Sequence, residues 1–436
     1  MAECRPNREA TTIDHDAPAD EGTGASVEHL RRPEARRRLA LGLVAIVAAI
    51  PPLRMATAVR GASRTQYNDY WPMLDSMLGA DGGLRWRGLL EARNQHPVVL
   101  PKAIYWINVL ATDGDNRSLG IVVIAIVALT VGLVALLARS TPGIGRARRA
   151  ALVLGASFLL FAPNGAWNFV KAMSGTAWLT ANLLTVAAVL ADHHRRRGLA
   201  AGLAVLASIS YGTGLAAWPA LAVAAVVRHG RHAPRRAWPI VVAGVVTLGW
   251  YAAWYRSSTF PRGPSGGRLA VVERTLAGIG SLPGDGRAAV PLGIVALGLA
   301  AAALAVGLRR GQAAACAPWV AILAYGTAAM ALVATSRAES FQARYTSISA
   351  LTWLGVTGLV LVAVPRPRRW AALVPAPLVV AATLATTYGP PSLDADTRRH
   401  DLLAVAMQIG VADGNRVGGG LHPFPVMTDR LRARGH

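Results

Sequence analysis

Apolar residues run without interruption over long stretches of this chain, for example 119–137 and 290–308. A charge-free run of about 18 residues or more is long enough to cross the hydrocarbon core of a bilayer as a helix. Helix is the required conformation there, because lipid offers the backbone no hydrogen-bond partner. About eleven such spans can be drawn: 39–53, 119–138, 150–161, 177–191, 199–211, 215–227, 237–255, 290–308, 318–335, 347–364 and 370–388. The pattern predicts an all-α, polytopic transmembrane helical protein. Several spans are shorter than about 20 residues and must stop short of the far interface or continue into loop residues. The pair 199–211 and 215–227, joined by Gly212-Thr213-Gly214, predicts one tight helical hairpin.

The polar intervals divide the chain into three parts. Residues 1–38 read as a disordered cytoplasmic arm, because residues 1–30 are rich in acidic and small side chains and lack apolar periodicity. Residues 39–388 form the transmembrane domain, with large outer loops at about 54–118 and 256–289, and residues 389–436 form an extracytoplasmic tail. The first outer loop sets Tyr67, Tyr70, Trp71, Leu74, Met77, Leu89, Leu90, Tyr105 and Trp106 among its charges. That mixture predicts short amphipathic helices in the interface, where Trp and Tyr are favoured.

Composition agrees, with 53% hydrophobic residues, and the net charge of +22 raises the question of nucleic acid. The distribution of the cations answers it. Arginines cluster at Arg31 to Arg38, Arg139 to Arg149, Arg195 to Arg197, Arg228 to Arg236, Arg309 and Arg310, and Arg366 to Arg369, which is the end of every second span. This is the positive-inside pattern, not a nucleic-acid surface. It predicts a multi-pass protein of the inner (cytoplasmic) membrane, with the N-terminus in the cytoplasm and the C-terminus outside. The short outer connections carry only Lys171, Arg337 and Arg344. Cys4 and Cys316 both fall on the cytoplasmic side, where a disulfide is not expected; Cys316 reads as a small apolar residue at a helix start.

The carboxylates carry the functional information. None of the 23 lies in a predicted span, which argues against a proton-coupled transporter, since buried acids mark ion paths. Apart from the N-terminal arm, Asp192 is the one cytoplasmic acid, and Asp69, Asp75, Asp81, Glu91, Asp113 and Asp115 lie in the first outer loop with His96. Acids beside a few cations at the outer boundary point to chemistry at that surface. No metal-ligand spacing is present, since Asp113-Gly114-Asp115 reads as a turn.

Five stretches together carry a resemblance: Asn68-Asp69-Tyr70-Trp71-Pro72, Asn94-Gln95-His96-Pro97, Ala166-Trp167-Asn168-Phe169-Val170-Lys171, residues 208–219, and Ser336-Arg337 followed by Ala343-Arg344-Tyr345. From about residue 39 onward the chain resembles a group of bacterial membrane proteins that look like GT-C glycosyltransferases. Gln95 and Pro97 stand where that group usually carries an acid and a base. The resemblance implies a GT-C-like fold, a polyprenyl-phosphate-linked sugar as donor, no identified cofactor, and an acidic residue in the first outer loop, the place Asp69 occupies. It implies membrane lipids, a lipid-linked sugar and a cell-envelope acceptor as partners.

A sugar hydroxyl needs a base, which Asp69 can supply with Glu91 or His96 assisting. A polyprenyl phosphate leaves with negative charge, for which Lys171, Arg337 and Arg344 are the outer cations. Each residue also has a structural alternative. Asp69 can cap the helix that Pro72 begins, His96 can be a turn residue, Glu91 can be solvent-exposed, Lys171 can snorkel, and Arg344 can meet lipid headgroups. A flippase or other transporter of lipid-linked precursors, or a non-catalytic assembly partner, are the rival functions.

Overall fold

In a computed structural model, which describes residues 23–67, 69–93, 96–257, 267–282, 287–336, 343–364, 398 and 401–402, every regular element is a helix. The chain divides into two compact units, Met1–Val47 and Ala48–His436. In the first, the described residues are continuously helical and belong to α1 (Thr23–Gly61), whose Leu39, Leu41, Leu43 and Ile46 are exposed. Residues 23–38, assigned to the polar arm by sequence, are therefore helical. Arg, Ala, Leu and Glu dominate 28–38 and are good helix formers, so the helix extends beyond the apolar run.

In the second unit, three short helices follow α1: α2 (Tyr70–Met77), α3 (Trp86–Leu90) and α4 (Val99–Thr112). The bundle continues with α5 (Asn116–Ser140), α6 (Arg146–Leu160), the turn α7 (Trp167–Val170), α8 (Ala172–His193), α9 (Arg197–Ser210), α10 (Ala217–His229), the turn α11 (Ala233–Arg236) and α12 (Trp238–Ser257). It closes with α13 (Arg268–Gly280), α14 (Ala289–Arg309), α15 (Ala313–Ser336) and α16 (Thr346–Ala363). The tail expected after 388 contributes Asp401, which accepts a hydrogen bond from Ser63 Oγ at 2.6 Å, next to the first loop.

The bundle is apolar on its outside, as a lipid-facing protein must be. Val241, Val242, Val245 and Val246 of α12 and Ile294, Val295 and Leu299 of α14 are exposed. Helix contacts rest on small residues, because no hydrophobic gain drives helices together in lipid and close backbone approach must do it. On α14 the buried face is Ala289, Gly293, Ala296, Ala300, Ala303 and Gly307, spaced alternately by four and three. A Cβ on Gly293 would lie 2.1 Å from the Leu276 carbonyl oxygen of α13, so only glycine allows that approach. Cys316 is buried and free, packed where a Cβ on Gly307 would meet its sulfur.

Ten of the eleven spans drawn from sequence coincide with helices; 370–388 lies outside the described residues. Fewer of them are long enough to cross. Six described helices are long and apolar enough, and the number reaches eight if each bent pair is one span. α9, at about 1.5 Å per residue, is only about 20 Å long, against about 30 Å of hydrocarbon, while α10 lies within Gly212–Arg236, one arm of a bent pair. The expected tight hairpin also differs. The turn at Gly212–Ala216 is present, but α9 rests chiefly on α8 and α10 on α15, because each carries its alanine face toward that neighbour. The bent pairs are Arg146–Leu160 with Pro163–Val170 (42°) and Gly212–Arg236 with Trp238–Trp254 (80°). Prolines at Pro163, Pro234 and Pro239 supply the breaks, since proline removes a donor and clashes with the preceding turn.

Candidate functional site

The first loop is fastened by amide side chains. Asn116, at the start of α5, donates to the carbonyls of Ser63 (3.0 Å) and Val170 (2.8 Å) and accepts from the Ala172 amide. Gln66 donates to the Gly114 carbonyl at 2.9 Å, and Asn108 of α4 accepts from Tyr70 and donates to the Asp115 carbonyl. Asp113 and Gly114 both have positive φ, and the Asp115 side chain accepts from the Arg117 amide at the start of α5. The Asp-Gly-Asp triplet is thus a helix-to-helix turn. Tyr105 locks α4 to α8 through the Met173 carbonyl (2.7 Å), and burial pushes its phenol well above the ordinary range, so it stays neutral.

On that frame residues of the five sequence stretches are linked by a series of contacts. Asp69 pairs with Arg93 at 3.4 Å, and its side chain makes no capping bond to α2. Arg93 exchanges two backbone hydrogen bonds with His96. The His96 ring lies 4.2 Å from the Tyr211 ring and its Nδ1 is 3.4 Å from Tyr251 Oη. Gly212 makes this possible, because a Cβ there would stand 2.5 Å from His96 Nδ1. Tyr211 meets Trp178 edge-on at 5.5 Å, and Trp178 meets Tyr345 at 5.7 Å. The Arg344 guanidinium lies over both Trp178 (5.2 Å) and Tyr345 (5.3 Å). Asn168 ties the next pair together, donating to the Arg344 carbonyl and accepting from Trp178 Nε1, each at 2.9 Å. Lys171, one turn on, sits 4.0 Å over Trp167 and 5.1 Å over Tyr67, two residues before Asp69 in the chain.

Four of the six residues singled out by sequence are therefore in one neighbourhood: Asp69, His96, Lys171 and Arg344. Glu91 stands apart, in an exposed pair with Arg85 at 2.9 Å. Arg337 lies outside the described residues. Sequence reasoning passed over Arg93, Trp178 and Tyr251. Arg93 is next to the Asn94-Gln95-His96 stretch, but nothing local marks it as the partner of Asp69. Trp178 and Tyr251 lie inside apolar runs and read there as packing residues.

The electrostatics suit an anion. Arg344 Nε and Arg93 Nε are buried and have no hydrogen-bond partner among the described residues. A cation over a ring gains about 0.5–2 kcal/mol, less than a pair of charge-assisted bonds to phosphate. Aromatic faces and a carboxylate next to such cations can hold a polar, partly apolar ligand and accept a proton from it. Among the described residues no group of three or more metal-binding side chains occurs. Comparison of the chain with family models, with curated proteins and with solved structures finds no match.

Proposed function

We propose that the protein is a membrane transferase of the glycosyltransferase type, which moves a sugar from a polyprenyl-phosphate donor to an acceptor outside the cytoplasm. The observation that carries this reading is the series of contacts in which one carboxylate, Asp69, and three cations, Arg93, Lys171 and Arg344, stand among aromatic faces at the end of the bundle opposite Arg148, Arg228 and Arg310. An acceptor hydroxyl oxygen attacks the anomeric carbon, the bond from that carbon to the phosphate oxygen breaks, and the phosphate leaves with the electron pair. Asp69 takes the hydroxyl proton. Arg344 and Lys171 offset the charge that grows on the phosphate, with Arg337 as a further ligand in this proposal. Arg93 orients Asp69, and His96 lines the acceptor side.

The experiment supplies polyprenyl-phosphate sugars to the purified protein in proteoliposomes and compares wild type with Asp69→Asn. Transfer by wild type, and its loss in the variant, supports the assignment; equal transfer by both removes Asp69 from the role. A second reading has its own observation. Two bent helix pairs, one at 80°, are a feature of transporters, whose broken helices form substrate sites. Translocation of a labelled lipid-linked sugar without transfer to any acceptor favours that reading.

A further inference from the structure

Asn168, in the turn α7, is fully buried, and its side chain is a fork with both prongs in use. Its Nδ2 donates to the Arg344 carbonyl and its Oδ1 accepts from the Trp178 indole, each at 2.9 Å. A carbonyl can only accept and an indole N–H can only donate, so the amide has one orientation. The backbone beneath the fork is held as firmly. A Cβ on Gly175 of α8 would overlap the Asn168 carbonyl oxygen, so only glycine lets α7 lie this close to α8, with the amide opposite Trp178. Asn116 grips the same segment through the Val170 carbonyl and the Ala172 amide.

The groups joined by the fork lie far apart in the chain, and together they make the bed of the Arg344 guanidinium. That cation stands 5.2 Å over Trp178 and 5.3 Å over Tyr345, with its buried Nε lacking a hydrogen-bond partner among the described residues. Ser347 Oγ also donates to the Arg344 carbonyl, at 3.3 Å, but from three residues on, so it fixes only the local turn. We infer that Asn168 is the positioning residue of the phosphate seat. By holding the Arg344 backbone and the Trp178 ring at once, it sets where the guanidinium stands. Leucine of similar size offers neither prong, and aspartate lacks the donor. The inference goes beyond the proposed function and rests on it only for what the placed guanidinium holds, a lipid phosphate.

The test is a double-mutant cycle on the full chain in nanodiscs, with decyl phosphate as ligand and Asn168→Leu, Arg344→Ala and the double variant as samples. Asn168→Leu is expected to weaken binding about tenfold in the wild-type background. In the Arg344→Ala background the loss should be no more than about twofold, since a residue that acts through another has nothing left to act on. An equal loss in both backgrounds is a general structural defect and overturns the inference. Ser347→Ala should bind like wild type; a loss matching that of Asn168→Leu also overturns it. If Asn168→Leu does not fold, Trp178→Phe asks the question from the other prong. It keeps a ring under Arg344 and removes the indole donor, and its effect should vanish in the same background. The Arg344 Nε–H resonance, which the two rings shift upfield, separates the two claims. It should move toward the value of free arginine in Asn168→Leu and stay in Ser347→Ala; a resonance that does not move in Asn168→Leu overturns the inference. If it moves while Arg344→Ala binds decyl phosphate like wild type, Asn168 remains the positioning residue and the phosphate reading of the site is overturned.

Discussion

At the arginine-rich end of the bundle, Arg148 and Arg310 donate to the carbonyls of Leu361 and Ala363, at the C-terminus of α16. Arg228 pairs with Asp192 at 2.8 Å, with both side chains nearly buried. At the opposite end Arg344 and Lys171 lie over Trp178, Tyr345, Trp167 and Tyr67. Both ends are cationic, but the cations do different work. A guanidinium on the last carbonyls of a helix satisfies groups the helix leaves open and complements its dipole. Arg344, over its two rings, has its buried Nε without a hydrogen-bond partner among the described residues. The first arrangement is structural and the second is suited to a ligand.

The comparison can be broken most forcefully at Asp69. Asp69→Asn keeps the shape and removes the base, so transfer should fall by about 10²- to 10⁴-fold while the midpoint of thermal unfolding barely moves. Its counterpart at the other end is Asp192→Ala, which leaves Arg228 as an uncompensated buried charge. A loss of about 3 kcal/mol is expected in denaturant unfolding, with no change in donor affinity per folded molecule. Arg344→Ala should weaken polyprenyl phosphate binding about 10- to 100-fold, as removal of charge-assisted hydrogen bonds does. Gly212→Ala sharpens the picture, because its new Cβ displaces His96. Transfer should drop about tenfold with a modest stability cost, whereas Gly132→Ala, with nothing within 4 Å, should behave as wild type. The smallest effect belongs to Glu91→Gln. Its exposed pair with Arg85 is worth no more than about 1 kcal/mol, and transfer should be unchanged.

Much of the fold was legible from hydrophobic runs alone, because a continuous apolar run of about 20 residues satisfies its backbone in lipid as a helix. Lengths were less legible. The runs at 199–211 and 215–227 look like two separate spans, yet α9 is too short to cross and α10 belongs to a bent pair with α12. Their partners are α8 and α15, which only the packing of alanine faces decides. In the site, Lys171 and Arg344 stood out because cations are rare in the short outer connections, and Asp69 and His96 because they lie in the stretches that carry the family resemblance. Trp178 and Tyr251 did not, since an aromatic in an apolar run looks the same whether it packs or lines a site. Lys102, which is buried in α4 with its ammonium on the carbonyls of Gly88 and Glu91, was invisible for another reason. A lysine is read as solvent-exposed until the fold shows which carbonyls stand opposite it.

The contrast between the two ends is tested most directly by one binding measurement. Native mass spectrometry of the full chain with decaprenyl phosphate, comparing Arg344→Ala with Arg148→Ala, reads how much lipid phosphate each retains. Loss of the bound phosphate is expected in Arg344→Ala alone, with Arg148→Ala binding like wild type. Equal retention by both variants, or loss confined to Arg148→Ala, would contradict it.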